Sequence, residues 1–206
     1  MNRKIKKIFT FFIAIILTFS ITAQEFGVQA GMNITNIKTD IIVGEYIETN
    51  KKGGINCGLN AVFPLTDIMS IKTGVLYSEK GALSENSGLK MSWAFTYMEF
   101  PINIAYSIYN QISLIAGPYF GLLMRAKRKV SGNAYFLEQP IDEENYIKED
   151  MPAWDYGINI GTSFSINEST SLGAGYQVGL TDINNDRYAE ARHSNIHIEI
   201  TYFFKN

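Results

Sequence analysis

Between residues 156 and 180 the chain alternates strictly. Tyr156, Ile158, Ile160, Thr162, Phe164 and Ile166 hold one parity; Gly157, Asn159, Gly161, Ser163 and Ser165 hold the other. The polar break 167–170 follows. The alternation then restarts, with Leu172, Ala174, Tyr176, Val178 and Leu180 against Gly173, Gly175, Gln177, Gly179 and Thr181. A period of two marks a strand with one apolar and one polar face. Two such runs joined by a short polar turn predict an antiparallel hairpin. Neither run carries a charge over 156–166 or 171–181. A soluble barrel would present its polar parity to bulk water, where Lys and Glu are usual. Small uncharged residues suit a narrow interior instead, which leaves the bulky parity for lipid. Apolar out, polar in and about 10 residues per strand is the arrangement of an outer-membrane barrel.

The same pattern predicts further strands over 26–37, 55–65, 69–83, 89–108, 112–130 and 192–204. The expected fold is therefore all-β: an eight-stranded antiparallel up-and-down transmembrane β-barrel in one domain. An even number of strands closes without edges and returns both termini to one side. Short turns at 66–68, 109–111 and 167–170 share that side, the periplasm; longer loops at 38–54, 131–152 and 184–190 lie outside. The fourth strand changes phase, because Trp93, Phe95 and Tyr97 share one parity and Phe100, Ile102, Ile104, Tyr106 and Ile108 the other. A bulge near 98–101, where Pro101 would fit, reconciles them. Phe26, Phe63, Tyr106, Phe164, Tyr202 and Phe204 are expected at the periplasmic edge, and Tyr77, Trp93, Phe95 and Tyr156 at the outer edge.

The first residues read as an address. Arg3, Lys4, Lys6 and Lys7 precede an apolar run over 8–21, and Ala23 sits at a plausible cleavage point. This predicts a secretory signal peptide over 1–23, with the barrel domain over 24–206. Cleavage removes four basic and no acidic side chains, leaving 14 basic against 20 acidic, a net charge of −6. No concentrated basic patch suggests nucleic acid as a partner. The single cysteine, Cys57, excludes an intramolecular disulfide framework and a Cys-rich zinc site.

Several stretches resemble the PorT-like outer-membrane β-barrel family of Bacteroidota. They are Phe26-Gly27-Val28-Gln29-Ala30-Gly31-Met32-Asn33, Tyr97-Met98-Glu99-Phe100-Pro101-Ile102, Gly117-Pro118-Tyr119-Phe120-Gly121 and Tyr176-Gln177-Val178-Gly179-Leu180-Thr181-Asp182-Ile183. The resemblance spans nearly all of 24–206 and brings no catalytic motif. It implies a non-enzymatic envelope protein without cofactors, with a secretion-associated partner suggested by the family's namesake.

Charged side chains on inward parities are the candidate chemistry. Lys72, Glu99, Arg125, His197 and Glu199 form the expected lumen network, with Arg125 paired to Glu199, because charges inside a narrow barrel must pair. His197 and Glu199 would also serve an enzyme acting on lipid A or peptides, but Ser194 falls on the opposite parity. A filled network is therefore the favoured reading, and a narrow solute channel is a third. Arg128 and Lys129, beside Arg125 and Lys127, are candidate contacts for lipopolysaccharide phosphates, and pairing with the next, acidic segment is equally consistent. That segment, Glu138 to Asp150, would otherwise bind a divalent cation or be simply solvated. Asp182-Ile183-Asn184-Asn185-Asp186 starts like a calcium loop, but Arg187 replaces the turn glycine. Expected partners are outer-membrane lipid, lipopolysaccharide and an envelope or secretion protein.

Overall fold

Strand pairing in the computed structural model, described for residues 25–41, 49–86, 88–132, 141–184 and 189–204, is antiparallel throughout. The strands are β1 (Glu25–Ile41), β2 (Asn50–Pro64), β3 (Met69–Asn86), β4 (Leu89–Tyr109), β5 (Ile112–Gly132), β6 (Ile141–Tyr146), β7 (Trp154–Asn167), β8 (Thr170–Gly179) and β9 (Ala189–Phe204). Pairing runs β4-β3-β2-β1-β9-β8-β7-β5, and a β4–β5 ladder closes the ring at eight strands. All eight expected strands are present. The expected signal peptide lies outside the described residues, as do the central parts of the three long loops.

The alternation read from the sequence is the alternation of the wall. Ile160 is 62% exposed on the outside, whereas Asn159 next to it is 6% exposed on the lumen side. The outward apolar parity recurs on every ring strand. A sheet closed on itself leaves no backbone group unpaired in lipid, which is why only a closed barrel can cross with strands. Cys57 lies on the outward face. Phe26, Tyr106, Phe164, Tyr202 and Phe204 are exposed at the end where β1 starts and β9 stops, hereafter the terminal end; the Tyr202 and Phe204 rings meet edge to face at 5.9 Å.

Three expectations fail at the opposite, loop end. First, segment 131–152 is not all loop. Residues 141–146 form β6, which among the described residues pairs only with β5, from Lys127↔Tyr146 to Gly132↔Ile141. Here β7 has already left β5 at Leu122↔Trp154, so β6 takes over that edge. Second, β4 has no bulge at 98–101. Its register with β3 is unbroken from Met69↔Tyr106 to Asn86↔Leu89, and Pro101 simply faces the lumen. Third, Phe95 and Trp93 do not join an outer aromatic ring: Phe95 points inward at 2% exposure, beside Tyr97, and Trp93 packs against the same cluster.

The reason is length. β4 and β5 have 21 residues each, roughly 70 Å of chain at about 3.3 Å per residue. Crossing the apolar band takes only about 10 tilted residues. The remainder of β3, β4 and β5 stands beyond the membrane as a tall wall, completed by β6, while β7 and β8 stop low with 14 and 10 residues. Where the outside is lipid, apolar residues face out. Where it is water, they turn in. The hydrophobic phase of β4 therefore inverts at the membrane boundary with no change of register. The inward apolar residues of the loop end form a dry cluster of Ile37, Ala82, Phe95, Tyr97, Leu123, Ala126, Ile183 and Ala191. The β3–β4 turn is tight enough to need Gly88 at φ +83°.

Two register shifts lie near this level, one in the β2–β3 ladder between Lys51 and Asn56 and one in β5. Tyr97 pairs with Leu123 and Thr96 with Arg125, so Met124 is an extra residue. A bulge puts one more residue on one strand and re-aims the side chains beyond it. Before it, odd residues of β5 face inward (Ile115, Tyr119, Leu123); after it, Ala126 does.

Candidate functional site

The lumen is organised around Lys80 on β3. Its Nζ lies 2.8 Å from Glu99 Oε1 on β4 and 3.2 Å from Asp155 Oδ2 on β7, with the lysine side chain fully buried. Tyr119 and Tyr97 offer ring faces to the ammonium at 4.3 and 5.4 Å from their centroids. Tyr119 Oη also donates to Asp155 Oδ2 at 3.2 Å, and Gln177 Nε2 donates to Glu99 Oε2 at 3.3 Å. One buried cation is thus matched by two carboxylates and two π faces, the condition for carrying charge in a low-dielectric interior. Glycine makes the room: a Cβ on Gly157 would lie 2.7 Å from the Tyr119 ring. Above the triad, Tyr97 Oη and His193 Nε2 lie 3.1 Å apart, and Phe95 meets the His193 ring edge to face at 5.1 Å.

Towards the terminal end the lumen becomes polar. Asn and Gln side chains from successive strands hydrogen-bond around the wall: Asn60 to Gln29 at 2.6 Å, Gln29 to Asn56 at 3.1 Å, Asn56 to Asn33 at 2.9 Å, and Asn195 to Gln177 at 3.0 Å. They line a cavity of about 50 Å³ that also touches Lys72, Glu99, His197 and Glu199. A water needs at least roughly 10–15 Å³ of such space, so this is room for a few small molecules at most. His197 Nε2 lies 3.4 Å from Glu199 Oε2. Both lie over glycines of β8: a Cβ on Gly175 would sit 2.6 Å from His197 Cε1, and one on Gly173 2.7 Å from Glu199 Oε1.

Of the expected network, Lys72, Glu99, His197 and Glu199 line this one cavity. Arg125 does not join them. The extra residue Met124 turns it outward, where Arg125 Nη2 donates to Tyr146 Oη at 2.9 Å. The expected Arg125–Glu199 pair is therefore absent. Lys80, Asp155, Tyr97 and Tyr119, the groups that hold the centre, lie outside the network expected from the sequence. Ser194 Oγ points to Asn36 O at 3.5 Å, and Ser194 does not line the cavity that His197 lines.

Outside the wall, β5 and β6 form a charged ladder. Lys127 pairs with Glu144, and Lys129 Nζ lies 3.0 Å from Asp142 Oδ1. The hydrogen bond from Lys127 holds the Glu144 carboxyl below its ordinary range and the Lys127 ammonium above its own. Arg128 and Lys129 fall on opposite faces of the sheet; Arg128 lies level with Trp93 and Asn145. The acidic segment is thus partly spent on the lysines of β5. Among the described residues no cluster of His, Cys, Asp and Glu is disposed to hold a metal ion. Asp182 Oδ1 accepts from the Asn184 and Ala191 backbone N–H groups at 3.0 and 2.9 Å, a clasp across its loop.

Solved structures of similar outline are small barrels. Ail, the attachment invasion locus protein of Yersinia pestis, is 14% identical, with 89% of this chain and 100% of that chain covered at a TM-score of 0.49. Neisserial surface protein A is 13% identical, covering 88% of this chain and 99% of its own, TM-score 0.46. Acinetobacter baumannii CarO is 10% identical, covering 86% and 98%, TM-score 0.45. No curated protein matches the sequence. The outer membrane protein beta-barrel domain family matches residues 22–185, and with a closed eight-stranded ring, an apolar exterior and a polar lumen the chain belongs to that family.

Proposed function

We propose that this barrel works by contact: a non-enzymatic outer-membrane protein whose tall wall of β3, β4, β5 and β6 meets another component of the envelope. The observation that carries this reading is the filled lumen. The Lys80–Glu99–Asp155 triad spans three strands, and the dry cluster above it closes the loop end. A conduit would need a continuous polar path, and the polar tier stops below Phe95 and Leu123, which are 2% and 1% exposed. An enzyme acting on lipid A or peptides would need a nucleophile beside His197, and Ser194 is directed to Asn36. The resemblance to PorT-like barrels supports a secretion-associated partner.

Planar-bilayer recording tests the closed lumen, and site-specific photo-crosslinking in native outer membranes tests the wall. The expected results are no steady conductance steps, and capture of an envelope protein from position 143 on β6 but not from position 180 on the low side. Regular conductance steps from the unaltered protein, or capture at 180 alone, would overturn the reading.

A further inference from the structure

The outward face of β5 carries Arg125, Lys127 and Lys129 at every second residue. The facing strand β6 carries Tyr146, Glu144 and Asp142 in the same spacing, in the register Lys127↔Tyr146 and Lys129↔Glu144. The ion pairs are diagonal: Lys129 takes Asp142, Lys127 takes Glu144, and each cation reaches one step up the ladder. The slip leaves the lowest cation without a carboxylate among the described residues. Among the described residues Arg125 meets only the phenol of Tyr146, whose ring also lies 5.3 Å from the guanidinium carbon and 4.8 Å from Lys127 Nζ.

The height of this unmatched cation is defined. On β5 the exposed apolar residues run from Ile112 to Met124. At about 3.3 Å per residue and a tilt near 40° that stretch rises roughly 30 Å, the thickness of a hydrocarbon core. Arg125 is the next residue. Beside it on β7, exposed Trp154 and Tyr156 mark the aromatic level that accompanies a membrane–water boundary. The bulge at Met124 is what puts Arg125 there, since its unshifted parity would have buried it in the dry cluster. Bulges are used to re-aim a side chain at a site.

We propose that Arg125, with Lys127 beside it, binds the sugar-borne phosphomonoester of a lipopolysaccharide-type glycolipid in the adjoining leaflet. The inference rests on the outer-membrane reading above and adds a ligand to it. A guanidinium fork matches phosphate oxygens in two parallel hydrogen bonds, and its remaining N–H groups beyond Tyr146 are exposed. A phosphomonoester carries enough charge for both cations. A zwitterionic headgroup brings its own ammonium, which these cations repel. The aromatic faces of Trp154 and Tyr156 suit the sugar rings that such a phosphate is attached to.

Native mass spectrometry of the full-length protein in detergent, titrated with lipid A and with the same lipid A stripped of phosphate, tests this. The expected result is about tenfold tighter binding of the phosphorylated form, a preference lost in Arg125→Gln, partly kept in Arg125→Lys, and unchanged in Lys129→Gln and Arg128→Gln. Tyr146→Phe removes the clasp but not the cations and should retain the preference within about twofold. A preference that survives Arg125→Gln, or equal binding of the two lipids, overturns the site. Retention of inorganic phosphate as strongly as of lipid A reassigns it to a soluble anion and overturns the lipid. Conductance in bilayers would sink the contact function without touching this result, so the two failures are separable.

Discussion

Lys80 and Glu99, on neighbouring strands, share a 2.8 Å ion pair at the level where the lumen passes from polar to dry. Below it lie the Asn and Gln side chains of the cavity; above it lies a core like that of a soluble protein. Removing the cation strands Glu99 and Asp155 in a low-dielectric interior. Lys80→Met should therefore lower unfolding stability in lipid vesicles by about 3–5 kcal/mol. Adding Glu99→Gln and Asp155→Asn should recover most of that loss, because neutral groups need no counter-ion. Equal or greater loss in the triple variant, read from urea midpoints, would mean the triad is not a charge-matched unit.

The glycines of β8 make a second prediction. At Gly175 a Cβ meets His197 Cε1 at 2.6 Å and Ile160 O at 2.9 Å, and the backbone oxygen cannot step aside. Gly175→Val should cost about 1–3 kcal/mol by overpacking. At Gly53 nothing lies within 4 Å, so Gly53→Ala should stay within about 0.5 kcal/mol of the unaltered protein. The measurement is the same urea titration, and similar costs at the two sites would contradict the packing described here.

Much of this was legible in the sequence. The eight ring strands, the three short turns and the facing of 156–180 all come from a period of two. So did the lumen positions of Lys72, His197 and Glu199, whereas Glu99 sits at the phase change of β4, where the period alone allows either face. The misses have physical reasons. Arg125 left the lumen because a single extra residue inverts parity, and no Gly or Pro among residues 122–126 marks it. Trp93 and Phe95 are expected outside only if lipid surrounds the whole strand, whereas the upper half of β4 stands in water and turns its aromatics in. β6 hid in an acidic stretch, since its pairing depends on lysines ten or more residues upstream. Lys80 had a visible signal: it shares parity with Lys72, eight residues earlier on one strand. Asp155 likewise shares the inward parity of Gly157 and Asn159.

The pairing of β6 should depend on pH at both ends of the scale. The Glu144 carboxyl is held below its ordinary value of 4.5 by Lys127, so its contribution is full above that value and is lost as pH falls through the lowered one. Lys127 is held above 10.5, so its contribution is full below that value and is lost as pH rises through the raised one. Cross-strand NOEs between Lys127 and Tyr146 should be constant between about pH 5 and 10 and weaken outside that window. Undiminished NOEs at pH 2 would show that the ion pair does not hold the hairpin.

Tyr146 should ionise early. Hydrogen bonds from Arg125 and then Lys127 favour its phenolate and hold the group below the ordinary tyrosine value of 10.0. An ultraviolet titration should lose its lowest-pH tyrosine step in Tyr146→Phe, and that step should move up in Arg125→Gln. A first step unchanged in both variants would contradict the Arg125–Tyr146 contact.

Which parity faces lipid decides whether the barrel crosses the membrane, and one labelling experiment reads it directly. In a Cys57→Ser background a single cysteine is placed at position 160 or 159, neighbours that are 62% and 6% exposed. With the protein in membranes, the cysteine at 160 should react with a lipid-soluble thiol reagent and resist a bulky charged one, while the cysteine at 159 should react little with the lipid-soluble reagent. Ready labelling of position 160 by the charged reagent, or purification of the protein as a soluble monomer without detergent, would contradict a barrel that turns its apolar parity to the bilayer.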